Sequence, residues 1–148
     1  MDGSDDGWSL DDSVVLAREL AARGVDVVDC SAGGIKGAPS FRTPVQGGGE
    51  RPPGFQVPYA DRVRKDAGVK TMAVGVIYDP HQAETILQED RADRVALGRE
   101  MMYNPCWPLH AAEALDADPN HEMRPEQYGW AVKRRSQILG FKGIKAAE

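Results

Sequence analysis

The sequence is poor in the features that mark secreted, membrane-spanning and nucleic-acid-binding proteins. It contains two cysteines, Cys30 and Cys106, which are too few and too far apart for a disulfide-stapled scaffold. Its longest strongly apolar stretch, Met72 to Ile77, is far shorter than the roughly 20 residues that span a bilayer. The net charge of −5 argues against nucleic acid or an anionic membrane as the main partner. We therefore expect a cytoplasmic protein with neither of these partners.

The composition is otherwise typical of a globular protein. The 148 residues are 41% apolar and 28% charged, which excludes a wholly disordered chain, and this length usually forms one domain. Residues 1–115 carry the periodic apolar patterns, interrupted by a long loop from Ile35 to Gly54 that is rich in glycine and proline. Residues 116–148 are a polar C-terminal tail with one predicted helix, from Tyr128 to Leu139.

Helical and strand patterns alternate along the chain. Three short apolar segments predict strands, at Val25 to Ala32, Thr71 to Ile77 and Ala92 to Leu97. Apolar spacing and start signals predict four helices, which begin near Ser9, Pro58, Asp79 and Trp107. This alternation is typical of an α/β protein with a parallel sheet and crossover helices. Because three parallel strands leave both sheet edges unpaired, we expect another part of the protein or another chain to cover them.

Glycines follow the second and third predicted strands, at Gly75 and Gly98. At the carboxyl ends of parallel strands, backbone N–H groups point into the open face, and glycine lets a ligand approach closely. Arg99 could add a bidentate contact to a phosphate group. These residues predict a phosphate-binding site. The alternative is that both glycines only serve tight strand exits and that Arg99 pairs with an acidic neighbour.

Other chemically active residue types show weaker patterns. Asp29, Cys30 and Ser31 could carry acid–base or nucleophilic chemistry, but no histidine is near them in sequence, and a carboxylate near a strand end more often orders a loop. The histidines and cysteines lack metal-ligand spacing, so we expect no metal site. Four aromatic residues could support a planar ligand, although such residues more often fill a core or an interface: Phe55, Tyr59, Trp107 and Tyr128.

Four motifs in order resemble the old yellow enzyme family, and most closely its bacterial NADPH dehydrogenases and xenobiotic reductases. The motifs are GVDVVDCSAGG at residues 24–34, PGFQVPYA at 53–60, AVGVI at 73–77 and ALGRE at 96–100. The resemblance extends from about Asp2 to Tyr128.

The resemblance implies a (β/α)8 barrel that binds flavin mononucleotide (FMN), takes hydride from NAD(P)H and passes it to an activated alkene. This chain would supply strands six to eight of the barrel, and barrel enzymes often hold phosphate after strands seven and eight. Gly75 and Val76 would follow strand seven, and Gly98 and Arg99 would follow strand eight, where the family grips the flavin phosphate. The family's substrate-binding pair and proton-donating tyrosine belong to an N-terminal half that is missing here. No catalytic residue is therefore expected in this chain, which would be inactive alone.

The C-terminal tail departs from the resembled branch. That branch ends in an arginine, shortly after a Gln-Tyr pair, that reaches into a neighbouring subunit's site. Here Gln127 and Tyr128 are followed by Gly129, so the arginine does not align, and its role is not transferred to Arg134 or Arg135.

Three interpretations follow. The first is the C-terminal part of an FMN-dependent ene-reductase, whose partners are a small alkene substrate and either the missing N-terminal half-barrel or a homo-oligomer partner. The second is a non-catalytic partner subunit or remnant that docks onto a separately encoded N-terminal half-barrel. The third is a self-sufficient, flavodoxin-like phosphate-binding module, which is disfavoured because three strands cannot close a barrel and their exposed edges invite association.

Overall fold

The computed structural model describes residues 7–32 and 51–139, so most of the predicted loop from Ile35 to Gly54 lies outside the described residues. The described residues form two compact units. The first comprises residues 7–32, 51–78 and 82–98, and the second comprises residues 79–81 and 99–139. The elements in chain order are α1 (Leu10–Ala22), β1 (Val27–Cys30), α2 (Val57–Ala67), β2 (Lys70–Ala73), α3 (Pro80–Gln88), β3 (Arg94–Val95), α4 (Arg99–Tyr103), α5 (Trp107–Ala114) and α6 (Glu126–Leu139).

Local capping signals place two of the helix starts as predicted. The Ser9 hydroxyl accepts a hydrogen bond from the Asp12 N–H at 3.1 Å, and the Asp12 carboxylate accepts one from the Ser9 N–H at 2.9 Å. This capping box satisfies two of the unpaired N–H groups at the start of α1. At the start of α3, the Asp79 carboxylate accepts from the His81 N–H at 2.8 Å, and Pro80 occupies the first turn.

The three strands form one parallel sheet in the order β1-β2-β3, so the predicted α/β class with a parallel sheet is confirmed. In the register, Val27 lies opposite Lys70 and Met72 lies opposite Arg94. Each strand is shorter than its apolar segment predicts. The β2–β3 ladder contains only two residue pairs, and β2 ends at Ala73 because the backbone turns to positive φ at Gly75.

The core of the first unit lies between the helices and the sheet. Helix α2 packs against α1, β1 and β2, and its buried face consists of Val57, Ala60 and Val63. Burying a valine side chain stabilises the fold by roughly 1.5–3 kcal/mol relative to leaving it exposed. Buried alanines, Ala17 from α1 and Ala73 from β2, allow this close packing of helix on sheet.

A charged network links α2, β2 and the segment before β3. The Asp93 carboxylate accepts from the Thr71 N–H at 2.9 Å and from the Arg64 Nε at 3.0 Å. Burial favours the neutral form of Asp93, but these hydrogen bonds outweigh it and hold the pKa of Asp93 below its ordinary value. The Arg64 guanidinium also contacts the exposed Asp90 carboxylate at 3.1 Å.

The second unit contains α4, α5 and α6. Helix α4 was not predicted because five residues carry no helical apolar period. The Arg124 side chain is 7% exposed and donates to the Glu113 carboxylate at 3.2 Å and to the His121 Nδ1 at 2.7 Å. The Asp118 carboxylate accepts from the N–H groups of Glu122 and Met123. These bonds order the polar segment between α5 and α6.

Among the described helices, none is both long and apolar enough to cross a membrane.

Candidate functional site

The carboxyl ends of β2 and β3 are adjacent. The Ala96 N–H donates to the Ala73 carbonyl at 2.8 Å, one residue beyond the β3 end at Val95. Gly75 therefore lies two residues after one strand end, and Gly98 lies three residues after its neighbour. The structure places both glycines beyond adjacent strand ends in the first unit.

Gly75 is required by both its backbone conformation and its surroundings. Its φ of +116° lies in a region that L-residues rarely adopt. A Cβ at this position would lie 3.0 Å from the Phe55 Cε1 and 3.1 Å from the Gln56 Oε1. The Gly75 carbonyl also accepts from the Gly54 N–H at 2.8 Å. The exit of β2 thus packs tightly against the segment before α2.

The next residue, Val76, has a φ of +52°. A β-branched residue in the left-handed region is a genuine outlier, which costs about 1–3 kcal/mol and persists only where the surroundings enforce it. Ile77 is buried immediately after it and anchors the chain. Strain of this kind concentrates at ligand-binding sites.

Gly98 and Arg99 occupy open positions. In the part of the chain that the structure describes, no heavy atom beyond those of Gly98 and its two chain neighbours lies within 4 Å of the place that a Cβ on Gly98 would take. Arg99 is exposed and begins α4, in the second unit. Within residues 7–32 and 51–139, its guanidinium forms no ion pair. The pairing of Arg99 with an acidic neighbour, the alternative from sequence, is therefore not seen among these residues.

Backbone donors remain available at both strand exits. Among the described residues, no group accepts a hydrogen bond from the N–H of Gly75, Val76 or Gly98. An unpaired backbone N–H seeks water or a ligand oxygen. These backbone N–H groups, with the Arg99 guanidinium next to Gly98 in sequence, suit an anion that has several oxygens, such as a phosphate monoester.

Gln56 is a buried polar residue at this site that the sequence did not single out. Its side-chain Nε2 donates to the Ala32 carbonyl at 3.0 Å, just beyond the end of β1. The only sequence signal was its place in the PGFQVPYA motif, because glutamine at a helix start has no pattern of its own.

Asp29, Cys30 and Ser31 do not form a nucleophilic site. Cys30 is buried, and desolvation, together with the nearby Asp29 charge, raises the pKa of its thiol to about 11. The reactive thiolate is therefore scarce near neutral pH. These residues line a cavity of about 160 Å³ with leucines of α1.

The remaining candidates are dispersed. Over the residues that could be searched, no group of three or more His, Cys, Asp and Glu side chains is placed to hold a metal ion. Trp107 is buried in the second unit, and Tyr128 is exposed there. Phe55 packs against Gly75, and the Arg51 guanidinium lies 5.8 Å from the centre of the Phe55 ring. Phe55 thus lies at the exit of β2, and Tyr59 lines the cavity beside the end of β1.

Comparison with known proteins identifies relatives. The model of the NADH:flavin oxidoreductase / NADH oxidase family matches residues 5–118. An NADPH dehydrogenase of Halalkalibacterium halodurans is 42% identical over 109 residues, which are 74% of this chain and 30% of that protein. NADPH dehydrogenases of Geobacillus thermodenitrificans and Listeria innocua are 40% and 39% identical over 84% and 86% of this chain, and 34% of each relative. The chain spans about a third of the length of these curated relatives.

Proposed function

We propose that this chain, which belongs to the NADH:flavin oxidoreductase / NADH oxidase family, forms the part of a flavin-dependent oxidoreductase that holds the FMN phosphate. The observation that carries this proposal is the pair of adjacent strand exits, where the N–H groups of Gly75, Val76 and Gly98 have no acceptor among the described residues. When bound, FMN supplies the two-electron carrier between NAD(P)H and the substrate.

The residues present fit a phosphate group. A phosphate monoester carries a charge of about −1.5 to −2 near neutral pH and offers three acceptor oxygens. The N–H groups of Gly75, Val76 and Gly98, which have no acceptor in the part of the chain that the structure describes, would supply neutral donors, and Arg99 would supply a positive charge. Charge-assisted, bidentate hydrogen bonds from a guanidinium to phosphate are stronger than neutral ones.

The three strands are proposed to be strands six to eight of a (β/α)8 barrel. Their parallel order, with a helix between successive strands, is that of consecutive βα units. Such barrels bind ligands at the carboxyl ends of their strands and often hold phosphate after strands seven and eight. In this assignment residues 1–115 belong to the barrel and residues 116–148 form a C-terminal tail.

The whole barrel is proposed to be an ene-reductase that passes hydride from NAD(P)H through FMN to an activated alkene in the cytoplasm. This chain binds and orients the phosphate end of the cofactor. No described residue is assigned to substrate binding or proton delivery, so we expect the chain to be inactive alone.

A partner is proposed to cover the sheet edges. Strands β1 and β3 each have one neighbour in the described sheet. The apolar residues Val15, Leu16 and Val25 are exposed, and Leu16 lines the cavity of about 160 Å³ together with residues of β1. An N-terminal half-barrel, or a homo-oligomer partner, would bury these groups and pair the edges. In the alternative function, this chain is a non-catalytic subunit or remnant that docks onto a separately encoded half-barrel.

Substitution of Arg99 by Ala tests the phosphate site. Loss of a charge-assisted contact should weaken FMN binding by roughly 1.5–3 kcal/mol, which is more than tenfold in Kd. The measurement is a fluorescence titration of the purified chain with FMN. Arg134→Ala is the matched control, because Arg134 is exposed on α6 and carries no assigned role. Equal affinity of the wild-type and Arg99→Ala chains would refute the role of Arg99.

A further inference from the structure

A buried glutamine at the start of α2 contacts the exits of both β1 and β2. Gln56 is 6% exposed. Its Nε2 donates to the carbonyl of Ala32, two residues beyond the end of β1, at 3.0 Å. Its Oε1 lies 3.1 Å from the place that a Cβ on Gly75 would take. One side chain therefore bridges two neighbouring strand exits.

The residues before Gln56 hold the same turn. The Gly54 N–H donates to the Gly75 carbonyl at 2.8 Å, and the Phe55 ring lies 3.0 Å from the Cβ position of Gly75. We call residues 54–56 the clamp. The clamp binds the Gly75 carbonyl and leaves the Gly75 N–H without an acceptor among the described residues.

The Gln56 side chain makes this contact instead of capping the helix that it begins. Gln56 is the N-cap residue of α2, where Ser, Thr, Asp or Asn would accept a hydrogen bond from the first turn. Its side chain makes no capping hydrogen bond within α2. A local rule that is broken to make a tertiary contact is typical of a functional site.

We infer that Gln56 is a positioning residue of the flavin-phosphate site, an inference that rests on the proposed function. Gln56 fixes the exit of β1 against the exit of β2. The strained backbone at Val76, with its φ of +52°, requires surroundings that enforce it, and the clamp holds the preceding residue, Gly75. The N–H groups of Gly75 and Val76 are thereby held in place for the phosphate before it binds.

The test compares FMN with riboflavin, which has the same ring but no phosphate. Gln56→Met keeps the length of the side chain and removes its N–H donor. We expect FMN binding by the full chain to weaken about threefold to tenfold, as the loss of one hydrogen bond predicts, while riboflavin binding is unchanged. A purely structural role would weaken both flavins equally. Gln88→Met is the control, because Gln88 is exposed at the end of α3.

A second measurement needs no variant. In the wild-type chain, the side-chain amide NMR signal of Gln56 should shift on addition of FMN and not on addition of riboflavin. If the signal does not shift and Gln56→Met keeps the preference for FMN over riboflavin, the inference about Gln56 is wrong and the phosphate site stands. If the wild-type chain shows no preference for FMN, the proposed function fails, and the inference fails with it.

Discussion

At the scale of single residues, backbone conformation marks the site more clearly than side-chain chemistry. Gly75 and Val76 are consecutive residues with positive φ that begin two residues after the end of β2. Gly75 was predictable from the sequence because a glycine after a strand is a recognisable signal. Gln56 was not predictable, because the partner of its side chain is the backbone of Ala32, 24 residues earlier, which no local pattern relates to it.

Replacement of Gly75 by Ala should destabilise the chain and disrupt FMN binding. The new Cβ would meet the Phe55 ring at 3.0 Å, in addition to the about 1–2 kcal/mol that a left-handed conformation costs an L-residue. Gly24→Ala is the matched control, since Gly24 has a φ of +92° with no described atom within 4 Å of its Cβ position. Urea unfolding should give a larger loss of free energy for Gly75→Ala. Equal losses for the two variants would show that packing at Gly75 is unimportant.

At the scale of elements, helix starts were predictable and strand ends were not. Ser9 and Asp79 cap the starts of α1 and α3 with local hydrogen bonds, and residues of this capping type can be read directly from the sequence. Strand length depends on pairing between distant segments. The apolar run from Thr71 to Ile77 continues past Ala73, but the ladder stops there because the chain turns towards the clamp.

The Asp93 network should make stability depend on pH. Because the folded pKa of Asp93 lies below its ordinary value, the ionised carboxylate stabilises the fold at pH values above about 4, the pKa of an unfolded aspartate. This contribution is lost as the pH falls through the lower folded pKa. We expect Asp93→Asn to reduce the free energy of unfolding by about 1–3 kcal/mol at pH 7. The difference from wild type should shrink in urea titrations below about pH 4.

Asp90→Asn is the control for this prediction. Asp90 contacts the same Arg64 guanidinium but is exposed, so its removal should change stability by no more than about 1 kcal/mol. A pH-independent difference between Asp93→Asn and wild type would mean that the lost hydrogen bonds do not depend on the charge of Asp93.

At the scale of the whole molecule, the alternating helix and strand patterns predicted the α/β class and the parallel sheet. The three described strands form an open sheet and not a closed barrel. The described sheet has three strands and two edges, and a cavity of about 160 Å³ lies beside the exposed Leu16. Such an open arrangement is expected of a chain that spans about a third of its relatives' length. The proposed partner would cover these edges. The phosphate site is different, because all its proposed donors lie within the chain.

The relative affinity of the wild-type chain for FMN and riboflavin tests the phosphate assignment most directly. Both flavins are titrated against the purified chain by fluorescence, with the association state followed by light scattering. If Gly75, Val76, Gly98 and Arg99 hold the phosphate, FMN should bind at least about tenfold more tightly than riboflavin, as one charge-assisted contact alone would produce. Equal affinity for the two flavins, or binding of neither, would contradict the assignment.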